Sequence, residues 1–271
     1  MIGKGGFGVV YKCLDVATGE CVAIKSITSK NISKAKLKDL QAEINLLKQL
    51  SASSEEGVQY ITHYINSFYA FNCLHIILEI DLKLRLCEQG SLLSILKKYG
   101  VFPENLIAVY MRQVLLGVSF LHRQGIIHRD IKGANILTTR KGEVKLADFG
   151  VSVFLEEGAI SSVAGTAYWM APEIIELRGA CEESDIWSLG CTVIELLTGY
   201  PPYFHMAPMP AMYAIVQNDL PPFPEGLSDA LQDFLNKTFQ KYIPNRGKAE
   251  DLLKHPFIKQ ALNKKVNIWS F

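Results

Sequence analysis

Apolar residues alternate with polar ones in the first third of the chain. The stretches GVVYKCLDV (8–16), ECVAIKSI (20–27) and LHIILEI (74–80) read as strands. ATGE joins the first two and is a turn signal, so they predict a hairpin. The period then changes. KAKLKDLQAEINLLKQL (34–50) sets Leu37, Leu40, Ile44 and Leu47 three and four residues apart, the stripe of an amphipathic helix. From about residue 91 the pattern is helical. One long helix is predicted over 103–125, opened by Pro103 and ended at Gly125, and another over 184–199, opened by Ser184 and Asp185 and closed at Gly199. LSDALQDFLNKTF (227–239) and AEDLLKHPFI (249–258) complete a helical half. The predicted fold class is α+β and bilobal. A small antiparallel-sheet lobe with one main helix covers about 1–80, a hinge about 79–90, and a larger, mostly helical lobe about 91–271. A cleft between two lobes is a common ligand site.

Composition narrows this picture. A net charge of +1 argues against binding nucleic acid or anionic lipid through bulk charge. The six cysteines, at 13, 21, 73, 87, 181 and 191, form no CxxC pair and read as scattered reduced thiols. MIGKGGFG lacks the apolar region of a signal peptide, and no window holds the roughly 18 apolar residues of a membrane span. No membrane insertion and a cytoplasmic location are therefore expected.

Four segments carry chemistry. GKGGFGVV spaces Gly3, Gly5 and Gly8 as GxGxxG. A tight hairpin turn explains this as well as a binding loop does. The dinucleotide-fold alternative needs a helix directly afterwards, and the following residues read as strands. A glycine hairpin lets the backbone approach phosphates, with Val10 as an apolar cover over a flat ring. VAIK ends on Lys25, beside Ala23 and Ile24. It either reaches solvent from an edge strand or pairs with a carboxylate on the next helix. Glu43, among Leu40, Ile44 and Leu47, is the candidate. HRDIKGANIL (128–137) crowds His128, Arg129, Asp130, Lys132 and Asn135 between apolar runs, and KLADFG brings Asp148 across a hairpin. Asp and Asn oxygens suit Mg²⁺, Asp130 can accept a hydroxyl proton, and Lys132 can neutralise charge on a transferred group.

GKGGFGVV, VAIK, HRDIKGAN, DFG and APE together resemble the signature set of eukaryotic protein kinases over nearly the whole chain. GTAYWMAPE and DIWSLGCTVIELLTG resemble Ste-like serine/threonine kinases, and IILE, HRDIKGANILTT, VKLADFGVS and MPAMYAIVQNDLPP are most similar to the MAP kinase kinase kinase epsilon and fungal septation-initiation group. The resemblance implies transfer of the γ-phosphate of ATP to Ser or Thr of protein substrates, with Mg²⁺. It implies Asp130 as base, Lys132 as phosphate neutraliser, Asn135 and Asp148 as metal ligands, and Lys25 with Glu43 as the ATP clamp. Nucleotide contacts are implied at Ile2, Gly3, Lys4, Gly5, Gly6, Phe7, Gly8, Val10, Ala23, Leu78 and Glu79. Arg129 would receive a phosphate on Ser161 or Ser162, and Thr166 would line the substrate pocket. Asp185 would hold the loop around His128, and Glu173 would pair with Arg246. An upstream kinase or a GTPase is the implied activator.

Two stretches depart from the resemblance. Ten residues, 80–89, separate Glu79 from Gly90 where about four are expected. The extra DLKLRL either loops out of the cleft or is translated from an unspliced transcript. Only Met1 and Ile2 precede the glycine loop, as expected of a piece of a longer chain. These departures motivate the rival reading, a catalytically silent scaffold. The intact set of Lys25, Asp130, Asn135 and Asp148 favours an enzyme.

Overall fold

The computed structural model describes residues 3–5, 8–16, 18–19, 21–28, 34–79, 90–139, 142–149, 152–154 and 166–263, with backbone alone at 3–5, 34–39, 153–154 and 261–263. The alternating segments form strands β1 (Gly3–Gly5), β2 (Gly8–Leu14) and β3 (Cys21–Thr28), followed by helix α1 (Lys34–Ser51). Strands β4 (Tyr64–Ala70) and β5 (Cys73–Glu79) complete a five-stranded antiparallel sheet in the order β1-β2-β3-β5-β4. Sequence reading did not pick out β4. Its turn to β5 uses Phe71 and Asn72, both at positive φ (51° and 57°), as a two-residue hairpin loop requires. Without glycine or proline there, the turn has no strong sequence signal.

The glycine loop is a hairpin, with Gly5 paired to Gly8 and no helix after it. At Gly8, φ is +146° and a Cβ would lie 2.4 Å from the Ser26 carbonyl oxygen, so glycine is required there. Helix α1 seals one sheet face through Leu40 and Ile44, which pack with Ile27 and Ile76.

The second half is helical. Helices α2 (Leu92–Tyr99) and α3 (Glu104–Arg123) are followed by β6 (Ile126–Ile127), a 3₁₀ turn (Gly133–Asn135), β7 (Ile136–Thr138), β8 (Val144–Leu146) and β9 (Val153–Phe154). A 3₁₀ turn (Ala167–Trp169) precedes α4 (Pro172–Ile175), α5 (Glu182–Thr198), α6 (Pro208–Gln217), α7 (Asp229–Thr238), α8 (Ala249–Leu252) and α9 (Pro256–Asn263). Helix α3 is long and apolar enough to cross a membrane by length and composition, but Ile107, Met111, Val114, Val118 and Leu121 place it in the core of this half.

Two helices are bounded differently from expectation. Helix α5 begins at Glu182, capped by Cys181, because Glu182, Glu183 and Asp185 suit the positive end of the helix dipole. The single helix expected over 249–258 is two, α8 and α9, divided before Pro256, which cannot continue a helix. Helices α2 and α6 went unpredicted. Ser91 caps α2 by accepting the Ser94 amide, and the prolines of α6 sit in its first turn, where a missing N–H costs nothing.

The sheet and the helical half meet through β8. The Thr62 amide and hydroxyl both donate to the Leu146 carbonyl (2.9 Å each), and Lys145 Nζ reaches Glu79 Oε2 at 3.0 Å.

Candidate active site

Strand register gathers the first group. Val10 pairs with Lys25, Ala23 with Leu78, and Lys25 with Ile76, so these side chains share one sheet face. Lys25 is nearly buried and donates to Glu43 Oε1 at 2.7 Å, with Asp148 Oδ1 at 3.4 Å. Burial alone would lower the ammonium pKa. The Glu43 carboxylate, then Asp148, outweigh that and raise it. Of the two readings of Lys25, the paired one holds.

The second group is built by β7, β8 and the loop before them. Residues Arg129 and Asp148 both take left-handed backbone (φ 70° and 66°) without being glycine, a strain that marks functional loops. Asp130 Oδ2 accepts from Lys132 Nζ (2.7 Å) and Asn135 Nδ2 (2.8 Å), and the Asp130 carbonyl also accepts from Asn135 (2.8 Å). Thr166 donates to Asp130 Oδ1 at 3.0 Å and accepts from Lys132 at 2.6 Å. The Ala147 amide donates to the Asn135 carbonyl (2.9 Å), which brings Asp148 to the same place. Lys25, Asp130, Asn135 and Asp148 therefore converge between sheet and helices.

The loop is held from below. Asp185, fully buried on α5, accepts the amides of His128 (2.9 Å) and Arg129 (2.8 Å) and pairs with His122 Nε2 (2.9 Å). Burial would raise the Asp185 pKa, but these donors, His122 foremost, bring it down. Burial pushes His128 below its ordinary range despite the pull of Asp185, Asp130 and Asp148, so its ring is neutral. Its Nδ1 accepts from the Asp130 amide (3.3 Å), which leaves Nε2–H to donate to the Ala147 carbonyl (3.2 Å). One ring thereby ties the Asp130 loop to the segment after β8 that carries Asp148, with Phe149 against it. Further out, Glu173 and Arg246 form a fully buried two-pronged pair (2.7 and 3.0 Å). Arg129 lines a small cavity with Thr166, Trp169, Met170 and Ser188.

The donor set fits a hard divalent cation. Asp148 is half exposed toward the cleft, and the Asn135 amide nitrogen is committed to Asp130, so its oxygen is what it can offer an ion. Glu79 lies at the end of β5, beside the cleft, with its carboxylate on Lys145 (3.0 Å) and His63 (3.1 Å). Ile2, Gly6, Phe7, Ser161, Ser162 and the DLKLRL insertion lie outside the described residues, and Gly3, Lys4 and Gly5 are described as backbone only. Sequence reasoning missed His122, His63 and Lys145. It also missed Glu195, an acid inside the apolar run TVIELL, which was a legible signal.

A sheet-and-helix pair of lobes with such a cleft defines a class of phosphotransferase, and comparison with known proteins bears this out. The family described as the protein kinase domain matches residues 1–258. The chain belongs to that family and is a serine/threonine protein kinase domain. It is 53% identical over 260 residues to "Cytokinesis protein sepH" of Aspergillus niger, covering 96% of this chain and 19% of that protein. It is 52% identical over 264 residues to "MAP3K epsilon protein kinase 1" of Arabidopsis thaliana, covering 96% and 18%. Against "Cell division control protein 7" of Schizosaccharomyces pombe it is 48% identical over 257 residues, covering 95% and 23%. The chain thus spans about a fifth of the length of the curated relatives it matches.

Proposed function

We propose that this chain binds ATP in the cleft and moves its γ-phosphate to a serine or threonine hydroxyl of a protein substrate. The observation that carries the reading is the bonded knot of Asp130, Lys132, Asn135 and Thr166, a short step from the Lys25–Glu43–Asp148 chain. Asp130, with its carboxylate fixed by three donors, accepts the proton of the incoming hydroxyl. Lys132 neutralises charge on the phosphoryl group in flight. Lys25, oriented by Glu43, holds the remaining phosphates. Asn135 and Asp148 would hold Mg²⁺, which supplies further neutralisation when bound. The glycine loop (Ile2, Gly3, Lys4, Gly5, Gly6, Phe7, Gly8) covers the phosphates. Val10, Ala23 and Leu78 cover the ring, and the backbone at Glu79 reads its edge. General-base catalysis contributes on the order of 10²–10⁴-fold, so positioning and charge neutralisation supply the larger share of a phosphoryl-transfer rate.

The small lobe is assigned to about residue 80 and the large lobe from about 91. The protein acts in the cytoplasm, in a cascade of the MAP kinase kinase kinase or cell-division kind, under an upstream kinase or a GTPase. Phosphate on Ser161 or Ser162 docks on Arg129 and raises activity. Radiolabelled transfer to a generic protein substrate tests the core of the reading. Asp130→Asn is expected to lower transfer on the order of 10²–10⁴-fold. Equal signals from the variant and the unaltered chain would favour a scaffold.

A further inference from the structure

Two local choices at one end of the sheet work against folding. The turn between β4 and β5 needs left-handed backbone, and Phe71 takes it at φ 51°. A bulky side chain is strained in that region, where glycine or asparagine is usual. Phe71 gains no burial in return, since it is 95% exposed. Neither backbone preference nor packing therefore accounts for a phenylalanine at this tip. Helix α1 opens with Lys34, Lys36 and Lys38 and has no acid in its first turn. Cations are disfavoured at the positive end of a helix dipole.

Strand register brings the two features together. Thr28, the last residue of β3, pairs with Cys73, the first of β5, so the turn lies beside the end of β3. Leu40, in the second turn of α1, packs with Ile27, the residue before Thr28. Lys38 precedes Leu40 by about 3 Å along the helix axis, and Lys34 by about 9 Å. The other end of α1 lies at the start of β4, where Ser51 Oγ accepts the Tyr64 amide (2.7 Å). Tyr69 pairs with Leu74, and Leu74 with Ile27, so Tyr69 stands on the sheet face that α1 covers and is 62% exposed. No acid stands on β4, on its turn, or on β5 before Glu79 at the opposite end. The net charge of the chain is only +1, so the lysines act as a local set.

We infer that the β4–β5 tip and the start of α1 form a docking surface for a membrane rich in anionic lipid. Phe71 enters the boundary between headgroups and acyl chains, Tyr69 sits at the headgroups, and the three lysines are drawn to the lipid charge. The contact is peripheral, and it does not rest on the phosphoryl-transfer reading above.

The test is co-sedimentation of the purified chain with phosphatidylcholine vesicles, with and without about 30% phosphatidylserine, at about 0.1 M salt. The chain is expected to partition onto the anionic vesicles and to stay off the neutral ones. Phe71→Asn is expected to weaken that partition about tenfold, and Phe71→Trp to keep it. Replacing Lys34, Lys36 and Lys38 together by glutamine is expected to weaken it about 10²-fold, at about fivefold per lysine. Raising the salt to about 0.5 M acts in the same direction. Asparagine suits left-handed backbone, so Phe71→Asn is also expected to raise the urea midpoint while it loses lipid.

Equal partition onto neutral and anionic vesicles, or none onto either, overturns the inference. So does a Phe71→Asn chain or a triple-glutamine chain that binds lipid as tightly as the original. A lower urea midpoint in Phe71→Asn overturns it by giving Phe71 a place in the fold. Dimers that form without lipid and that Phe71→Asn abolishes would assign the tip to a second copy of the chain instead.

Discussion

The Glu173 and Arg246 side chains are fully buried and meet in two parallel hydrogen bonds. Ser184 adds a donor to Glu173 (2.7 Å), and the Gln240 carbonyl takes the Arg246 Nε–H (2.8 Å). Burial raises the Glu173 pKa, yet Arg246 and Ser184 win and bring it below the ordinary range. Taking one partner away leaves an uncompensated charge in the core. Arg246→Leu is expected to cost about 3–5 kcal/mol in urea unfolding, and adding Glu173→Leu is expected to return part of that loss. A cost under about 1 kcal/mol would show the pair to be dispensable. At this scale the sequence was highly legible for residues in a fixed spacing, such as Asp130, Lys132 and Asn135. It was silent on His122, whose contact with Asp185 spans 63 residues and belongs to no short pattern.

Helix α1 positions Glu43 only because its apolar stripe docks on the sheet. Leu40, about one turn before Glu43, and Ile44, the residue after it, are buried against Ile27 and Ile76 beside the Lys25–Glu43 contact. Leu40→Ala is expected to destabilise the protein by about 2–5 kcal/mol through the cavity it leaves. Phosphate transfer is expected to fall with it, as Glu43 loses its fixed distance from Lys25. A loss of stability with unchanged transfer would mean that Glu43 does not depend on this packing. Element existence was readable wherever periodicity was strong, as in α1, α3 and α5. Strand β4 and helices α2 and α6 escaped, the strand because its turn lacks glycine, and α6 because Pro208 and Pro210 look like breakers until they are placed in a first turn.

Across the whole molecule, Glu79 joins the sheet to the helical half. The His63 hydrogen bond, opposed by partial burial and reinforced by Lys145, lowers the Glu79 pKa from 4.5 to about 2. A carboxyl held low in the folded state adds stability above pH 4.5, and that contribution is lost as pH falls from 4.5 toward 2. The gap in urea midpoint between the unaltered chain and Glu79→Gln is therefore expected to be widest above pH 5 and to close on acidification. A gap that does not change with pH would break this link. The sequence by itself determined the two-lobe α+β plan and the identity of the chemical groups, because periodicity and short motifs are local properties of the chain. Only the tertiary structure decided which acids carry the loop. Asp185 and Glu195 reach it from a helix more than fifty residues further on, and burial of α5 in the core turns two ordinary carboxylates into fixed acceptors.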